Sequence, residues 1–238
     1  MSNTSLISET LRALALADTP TIANAMERIG IAPRRFTGPE IRPFSRMEKP
    51  VVGIAITGTM QQQWGGKFDH LEPWLEFLGE LEAASAPAVA ILQDCSTNPY
   101  RDAMIGEGMA LSMRAAGAAA IFCDGAIRDL NGVRQTGLPV WARGASADRG
   151  NIRFHRYQVP VCVGGMEVNP GDIIHADENG ALIVPQDRLD EIVKAAAEVT
   201  GGEAGMFEML AAPDFRVTRL YERYAEALKT AREERERR

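Results

Sequence analysis

Gly106-Glu107-Gly108-Met109-Ala110-Leu111-Ser112-Met113-Arg114-Ala115-Ala116-Gly117, then Ala118–Cys123, then Asp124-Gly125-Ala126-Ile127-Arg128-Asp129, is the stretch that decides the fold. Between Gly108 and Gly117 the pattern is that of a short helix, with Met109, Met113 and Ala116 on one face and Gly117 placed to close it. Ala118 to Cys123 is a run of small apolar residues, as in a strand buried on both faces, and Asp124-Gly125 predicts a tight turn after it. A helix leading into a buried strand is the unit of an open α/β sheet, where ligands collect beyond the carboxyl ends of strands and helix N-termini offer unpaired N–H groups to anions. Glu107, Asp124, Arg128 and Asp129 are expected to reach that crevice. An Arg-Asp pair alone is an ordinary surface ion pair. In a crevice it is a planar fork for a carboxylate beside a hard oxygen ligand for Mg2+ or Mn2+.

Outward from this stretch, Asp18-Thr19-Pro20 is a helix start, with Ile22, Met26 and Ile29 forming an apolar stripe that ends at Gly30. The prolines and arginines of residues 31–50 predict an irregular connection into a strand at Val51–Thr59, and Ala88–Gln93 predicts a second strand. Between these strands, a segment of about residues 61–86 stands as an insertion. Within it Trp74, Phe77, Leu78 and Leu81 have the spacing of a helix packed on a core or on another subunit. Asp69-His70 reads as solvated or capping, and neither His155 nor His175 supplies a zinc pattern. Val159, Val161 and Val163 alternate as in a half-buried strand. Asp172–Asp177 and Ala181–Val184 flank Glu178-Asn179-Gly180 as a hairpin. Asp187 is a candidate cap for the next helix, the chain is expected to bend near Glu203, and residues of about 215–238 form a charged helical tail.

A chain of 238 residues with 45% hydrophobic content can bury one substantial core, so residues 1–238 are expected to form a single domain. A net charge of -6 argues against nucleic acid as a partner, because phosphate binding draws on clustered Lys and Arg. Cys95, Cys123 and Cys162 lie in or beside apolar runs and are expected to be reduced core residues. No apolar run reaches the length of a membrane span and the N-terminus carries no signal-like segment, so the expectation is a soluble, cytoplasmic protein with no membrane partner.

The chain resembles the 4-hydroxy-4-methyl-2-oxoglutarate aldolase family, which also contains the regulator of ribonuclease activity A. The resemblance rests on Glu107 followed by residues 108 to 127 and then Arg128-Asp129, on Leu138–Gly144, and on Val168–Gly180, and it covers roughly residues 10 to 30 and 88 to 210. It implies an α/β fold of the swivelling β/β/α kind, with a mixed central sheet flanked by helices, assembled as a homotrimer or homohexamer. It also implies a cleft between subunits that a neighbour's glutamate enters; Glu203 matches that position. Two departures stand out. The spaced acid is Glu107 where the aldolases carry aspartate, and Leu130, Asn131, Gly132 and Val133 supply no acid after the Arg-Asp pair.

The resemblance implies a divalent-metal-dependent lyase that cleaves a 4-hydroxy-2-oxoacid to pyruvate and decarboxylates oxaloacetate as a side activity. Arg128 would face the enolate oxygen, Asp129 would hold Mg2+ or Mn2+, and Glu107 would reach the metal through water. Backbone N–H groups near Gly108 and Met109 would take the substrate carboxylate. Asp124 is a lesser metal candidate, since its position before Gly125 is explained by turn formation. The alternatives are a non-catalytic regulator that binds a protein partner, and a lyase or decarboxylase for a different oxoacid.

Overall fold

The chain opens on two helices, α1 (Asn3–Leu14) and α2 (Thr19–Arg28), in a computed structural model that describes residues 3–32, 34–62, 71–225 and 228–229. The Asp18 carboxylate accepts the Thr21 N–H at 2.8 Å, a cap of the kind that contributes about 1 kcal/mol. Ile22, Ala25 and Met26 are buried, and Gly30 closes the helix at a φ of 76°. After the short β1 (Arg42–Pro43) come β2 (Val51–Gln62), α3 (Leu71–Glu82), β3 (Ala88–Asp94), β4 (Ala103–Ile105), α4 (Glu107–Ala115), β5 (Ala118–Ile127), α5 (Leu130–Gln135) and β6 (Val140–Ala145). The chain continues through β7 (Ile152–Tyr157), β8 (Val161–Val163), β9 (Met166–Val168), β10 (Ile173–Asp177), β11 (Gly180–Val184), α6 (Leu189–Ala211) and α7 (Val217–Arg223).

By contacts the chain divides into two units, Met1–Ala197 and Glu198–Arg238. In the first, the strand order is β1-β6-β5-β3-β2-β10-β11, with β4 added to β5 and β7 to β2. The centre β2-β3-β5-β6 is parallel and the margins are antiparallel, so the sheet is mixed as expected. The length of β2 serves two partners: Val51–Ile54 pair with β10, and Gly58–Gln62 pair with β7. Side chains alternate between two cores. Ala88, Ala90, Leu92, Ile121 and Cys123 face one with Phe77, Leu81 and Met113, while Val89, Ile91, Ala120 and Phe122 face the other with Trp141 and the β8-β9 pair. Both faces being covered explains why these strands read as continuous apolar runs. The Phe122 and Trp141 rings stack at 4.3 Å, and Trp141 Nε1 donates to the Asp177 carbonyl.

Several expectations are corrected. Asp124-Gly125 does not form a turn: β5 runs on to Ile127 across a register irregularity between Cys123 and Ala126. The turn signal is overridden because Asp124 Oδ1 is held by Arg143 at 2.8 Å and by the Gly164 N–H at 2.8 Å, partners distant in sequence. The chain does not bend near Glu203. The α6 helix passes through it to Ala211, since an interior glycine costs a helix only about 1 kcal/mol, and it ends beside Pro213. Asp187 sits within a 3-10 turn, Gln186–Arg188, leading into α6. The β10-β11 turn is Glu178-Asn179, where Asp177 Oδ1 accepts the Asn179 N–H and Gly180, at a φ of 122°, already belongs to β11. Valine alternation extends only over Val161–Val163.

Cys95 is exposed, because Asp94 accepts the Ser96 and Tyr100 amides and turns the chain outward; Cys162 is half-buried and only Cys123 is a core residue. All three cysteines are free, and burial pushes the Cys123 thiol up to about 12. His175 is wholly buried, with Nδ1 3.0 Å from Thr19 Oγ1 and Nε2 3.1 Å from the Leu14 carbonyl, so it joins the hairpin to the N-terminal helices. Trp64, Asp69 and His70 lie outside the described residues. In the second unit, Arg219 pairs with Asp214 at 2.8 Å and Arg223 donates to the Gly202 carbonyl. No helix among the described residues is long and apolar enough to cross a membrane.

Candidate functional site

Arg128 and Asp129 follow the carboxyl end of β5. The Arg128 N–H donates to the Ile105 carbonyl, which ties the pair to the end of β4. Asp129 then takes a left-handed conformation, φ 54° and ψ 43°, and its carbonyl accepts the Val133 N–H as α5 begins. Asp tolerates this region better than most residues, though a non-glycine there still costs of order 1–3 kcal/mol. Asp129 Oδ2 lies 3.5 Å from Arg128 Nε and 3.4 Å from the Glu107 backbone nitrogen at the start of α4, and it caps no amide of α5.

Gly106 makes this arrangement fit. A Cβ at Gly106 would lie 2.7 Å from Asp129 Oδ2 and 3.2 Å from Arg128 Nε. Its backbone is extended, so the requirement is for space and not for positive φ. As the N-cap of α4, Gly106 also has no side chain to satisfy the first-turn amides; that of Glu107 is directed at Asp129 Oδ2, and those of Gly108 and Met109 are left for water or a ligand.

A cavity of ≈ 350 Å³ opens over these residues. Gly106, Gly108, Met109, Arg128 and Asp129 line it; Met60, Leu71, Trp74, Ile152 and Phe154 contribute an apolar wall; Arg149 and Arg153 add two further cations. Trp74 packs edge-on against Phe154 at 5.6 Å and stacks with Phe77 at 5.8 Å, which fixes the wall. The residues read from the sequence as Arg128, Asp129, Gly108 and Met109 therefore meet in one place. Glu107 does not line the cavity: its carboxylate lies against Gly132, where a Cβ would overlap it. Asp124 does not line it either. Burial pushes its carboxyl up from the ordinary value, opposed by the Gly164 N–H and by Arg143, and with those donors on Oδ1 it is a structural partner of Arg143. Arg143 in turn lies over the Tyr100 ring at 4.0 Å. Glu203 falls within α6 in the second unit.

Sequence reasoning missed Gly106, Arg149, Arg153 and Phe154, and assigned Trp74 to a core or subunit contact rather than to a cavity wall. For Gly106 a signal existed in Gly-x-Gly at a helix start after an apolar strand. For the arginines none did, since nothing local links residue 149 to residue 128.

Among the described residues no cluster of three metal-ligating side chains is present. Among the described residues Asp129 is the acidic one that lines the cavity, and its carboxylate makes the two long contacts given above. One hard carboxylate with room around it fits Mg2+ or Mn2+, which keep several ligand positions for substrate and water, and does not fit zinc.

The family described as Aldolase/RraA, RraA-like, matches residues 19–183. The chain is 44% identical over 71 residues to protein DlpA of Legionella pneumophila, which is 29% of this chain and 12% of that protein. It is 28% identical over 104 residues to a protein of Halalkalibacterium halodurans named as a putative 4-hydroxy-4-methyl-2-oxoglutarate aldolase, 43% of this chain and 47% of that one. These matches thus span about an eighth and about half of the two relatives' lengths. Among solved structures, Streptomyces coelicolor RraAS2, described as an unusual member of the RNase ES inhibitor RraA protein family, superposes with a TM-score of 0.67 at 26% identity, over 83% of this chain and 95% of that one. From the matched span, the mixed sheet and this structural likeness, the chain belongs to the RraA-like family and has its fold.

Proposed function

We propose that the protein is a divalent-metal-dependent lyase that cleaves a 4-hydroxy-2-oxoacid by a retro-aldol reaction to give pyruvate, with decarboxylation of oxaloacetate as a side activity. The observation that carries this reading is the contact of Arg128 and Asp129 above the bare Cα of Gly106, in a cavity that opens beside the first turn of α4. Cleavage leaves negative charge on the keto oxygen of the departing pyruvate unit. A divalent ion, bound by Asp129, would supply Lewis-acid polarisation of that keto group. Arg128 uses Nε toward Asp129 and has no described partner for its two Nη groups, which are thus available to the enolate oxygen as fixed donors. The amides at Gly108 and Met109 take the substrate carboxylate. Met60, Trp74 and Phe154 exclude water from the forming enolate.

Glu107 acts in this reading as a positioning residue that orients the water around Asp129. Its backbone N–H is already directed at Asp129 Oδ2. The proposed assembly is a trimer or hexamer, with Glu203 of a neighbouring copy entering the cleft. Names of relatives support the lyase class, and the absence of acid from Leu130 to Val133 keeps a protein-binding regulator as the second reading.

The test is pyruvate release from oxaloacetate, followed with a coupled dehydrogenase, with Mg2+ or Mn2+ and against a metal-only control. Oxaloacetate gives the same pyruvate enolate on losing CO2, so the groups that serve one reaction serve the other. Activity above the control that chelation removes supports the lyase. Binding of Mn2+ without any added rate moves the regulator ahead.

A further inference from the structure

The cavity holds more than a pyruvate unit needs. Arg149, Arg153 and Leu71 have no part in the chemistry above, and Trp74 and Phe154 serve it only by excluding water. Among the described residues no ion pair joins either arginine to a carboxylate; Arg153 Nη1 donates to the Ile152 carbonyl, and Arg149 stands exposed. Leu71 is a 57% exposed leucine at the start of α3, an apolar side chain turned to the cavity without being needed for the core.

The segment carrying Arg149 is held in place. The Asp148 carbonyl accepts both the Ala103 N–H at 2.9 Å and the Ser146 hydroxyl at 3.2 Å, and the Gly150 N–H returns to Asp148 Oδ1 at 3.2 Å. Gly150 takes a φ of 51° and packs so closely on Asp102 that a Cβ would overlap its carboxylate, while Asp102 also accepts from Gln62 at 2.7 Å. β4 therefore acts as a spacer. Asp148 is bonded at its Ala103 end and Arg128 at its Ile105 end, two residues apart, which is roughly 7 Å along a strand.

The geometry points to an acceptor subsite: Arg149 and Arg153, with Leu71, Trp74 and Phe154, hold the half of the substrate that leaves as an aldehyde or ketone, and select one with an apolar body ending in an anionic group. This rests on the lyase reading for the identity of that half, and on the cavity alone for its chemistry. In the reaction, the C4 hydroxyl passes its proton to water, the C3–C4 bond breaks with its electron pair passing to the pyruvate enolate, and the enolate carbon takes a proton back from water. The carbonyl compound left behind is the piece held here. Its size follows from the cavity, which falls within the roughly 300–1,000 Å³ of sites that enclose drug-sized ligands. Its apolar body follows from the aromatic wall, and its charge from two cations that no ion pair joins to a carboxylate among the described residues.

Two measurements test this separately from the lyase reading. Calorimetry on the whole chain with Mg2+ compares 4-methylbenzoate with its uncharged isostere 4-methylbenzamide and with acetate. The expected result is tightest binding of 4-methylbenzoate, weakened roughly ten- to a hundredfold in Arg149→Gln/Arg153→Gln and little changed in Arg128→Lys, as loss of charge-assisted hydrogen bonds requires. Equal affinity for the amide, or an unchanged affinity in the double variant, overturns the subsite. Deuterium exchange into the pyruvate methyl group reads the enolate chemistry instead. Exchange without 4-methylbenzoate binding overturns the subsite and leaves the lyase; binding without exchange supports the subsite and overturns the lyase. Thermal unfolding of the double variant at the wild-type temperature establishes that both readouts concern a folded protein.

Discussion

Gly106 lies beneath Asp129 so closely that the smallest side chain would lie 2.7 Å from the carboxylate oxygen. The contact makes Gly106→Ala a direct probe of geometry. Alanine suits the extended backbone, so the fold is expected to survive, while Asp129 and the Arg128 Nε beside it must shift. A displacement of about 1 Å at a reacting group can cost on the order of a hundredfold in rate. Steady-state oxaloacetate decarboxylation should show that loss in kcat, with circular dichroism unchanged; a wild-type rate means that this contact does not set the site.

Asp129 carries backbone strain that glycine would relieve. Asp129→Gly should raise the thermal midpoint, because glycine enters the left-handed region freely, and Asp129→Asn should leave it nearly unchanged. Both variants should lose Mn2+ affinity in calorimetry, since the carboxylate is gone from each. Stability gained together with metal binding lost marks a residue kept for function at a cost in folding. Retained Mn2+ affinity in either variant removes Asp129 as the metal ligand.

Glu107 can be tested without touching it. Gly132→Ala puts a methyl group where the Glu107 carboxylate lies and replaces a helix glycine by a better helix former. If the carboxylate's position matters, Mn2+ affinity and kcat should fall in this variant while stability holds or rises. Glu107→Gln should weaken both, and Glu107→Asp should retain more activity than Gln. Unaltered kinetics in all three variants would exclude Glu107 from the site.

Burial of His175 predicts a pH dependence of stability unrelated to the chemistry. Burial lowers its pKa from the model-peptide value of 6.5, outweighing the Leu14 carbonyl and Asp177. The unfolded chain therefore takes up a proton near pH 6.5 that the folded chain refuses, so the stability contributed above that value is lost as pH falls toward the lowered pKa. Chemical denaturation should give a lower midpoint at about pH 5.5 than at about pH 7.5, and His175→Asn should flatten that difference. An equally steep change in the variant assigns the effect to other groups.

What could be read beforehand follows a physical line. The Asp18 cap, the apolar runs of β2, β3 and β5, and Arg128-Asp129 at a strand end are local patterns, and each stands where its pattern requires. Asp124 misled because the same Asp-Gly that makes a turn in isolation is held in a strand by Arg143 and Gly164. Cys95 follows an apolar strand yet is exposed, because Asp94 turns the chain through amide contacts that have no pattern of their own. Arg153 comes to the cavity through β7 pairing with β2, and Arg149 through the bond of the Ala103 N–H to the Asp148 carbonyl, contacts no local signal encodes.

The central claim is that Arg128 stabilises an enolate, and the rate of Arg128→Lys on oxaloacetate tests it most directly. Lysine keeps the charge and loses the planar fork, so it cannot hold Asp129 and the enolate oxygen together. Losing a donor of this kind typically costs about 2.7–4 kcal/mol, a fall of roughly a hundred- to a thousandfold in kcat. The account predicts that fall with Mn2+ affinity nearly intact, because Asp129 remains. A variant that turns oxaloacetate over at the wild-type rate above the metal-only control contradicts it.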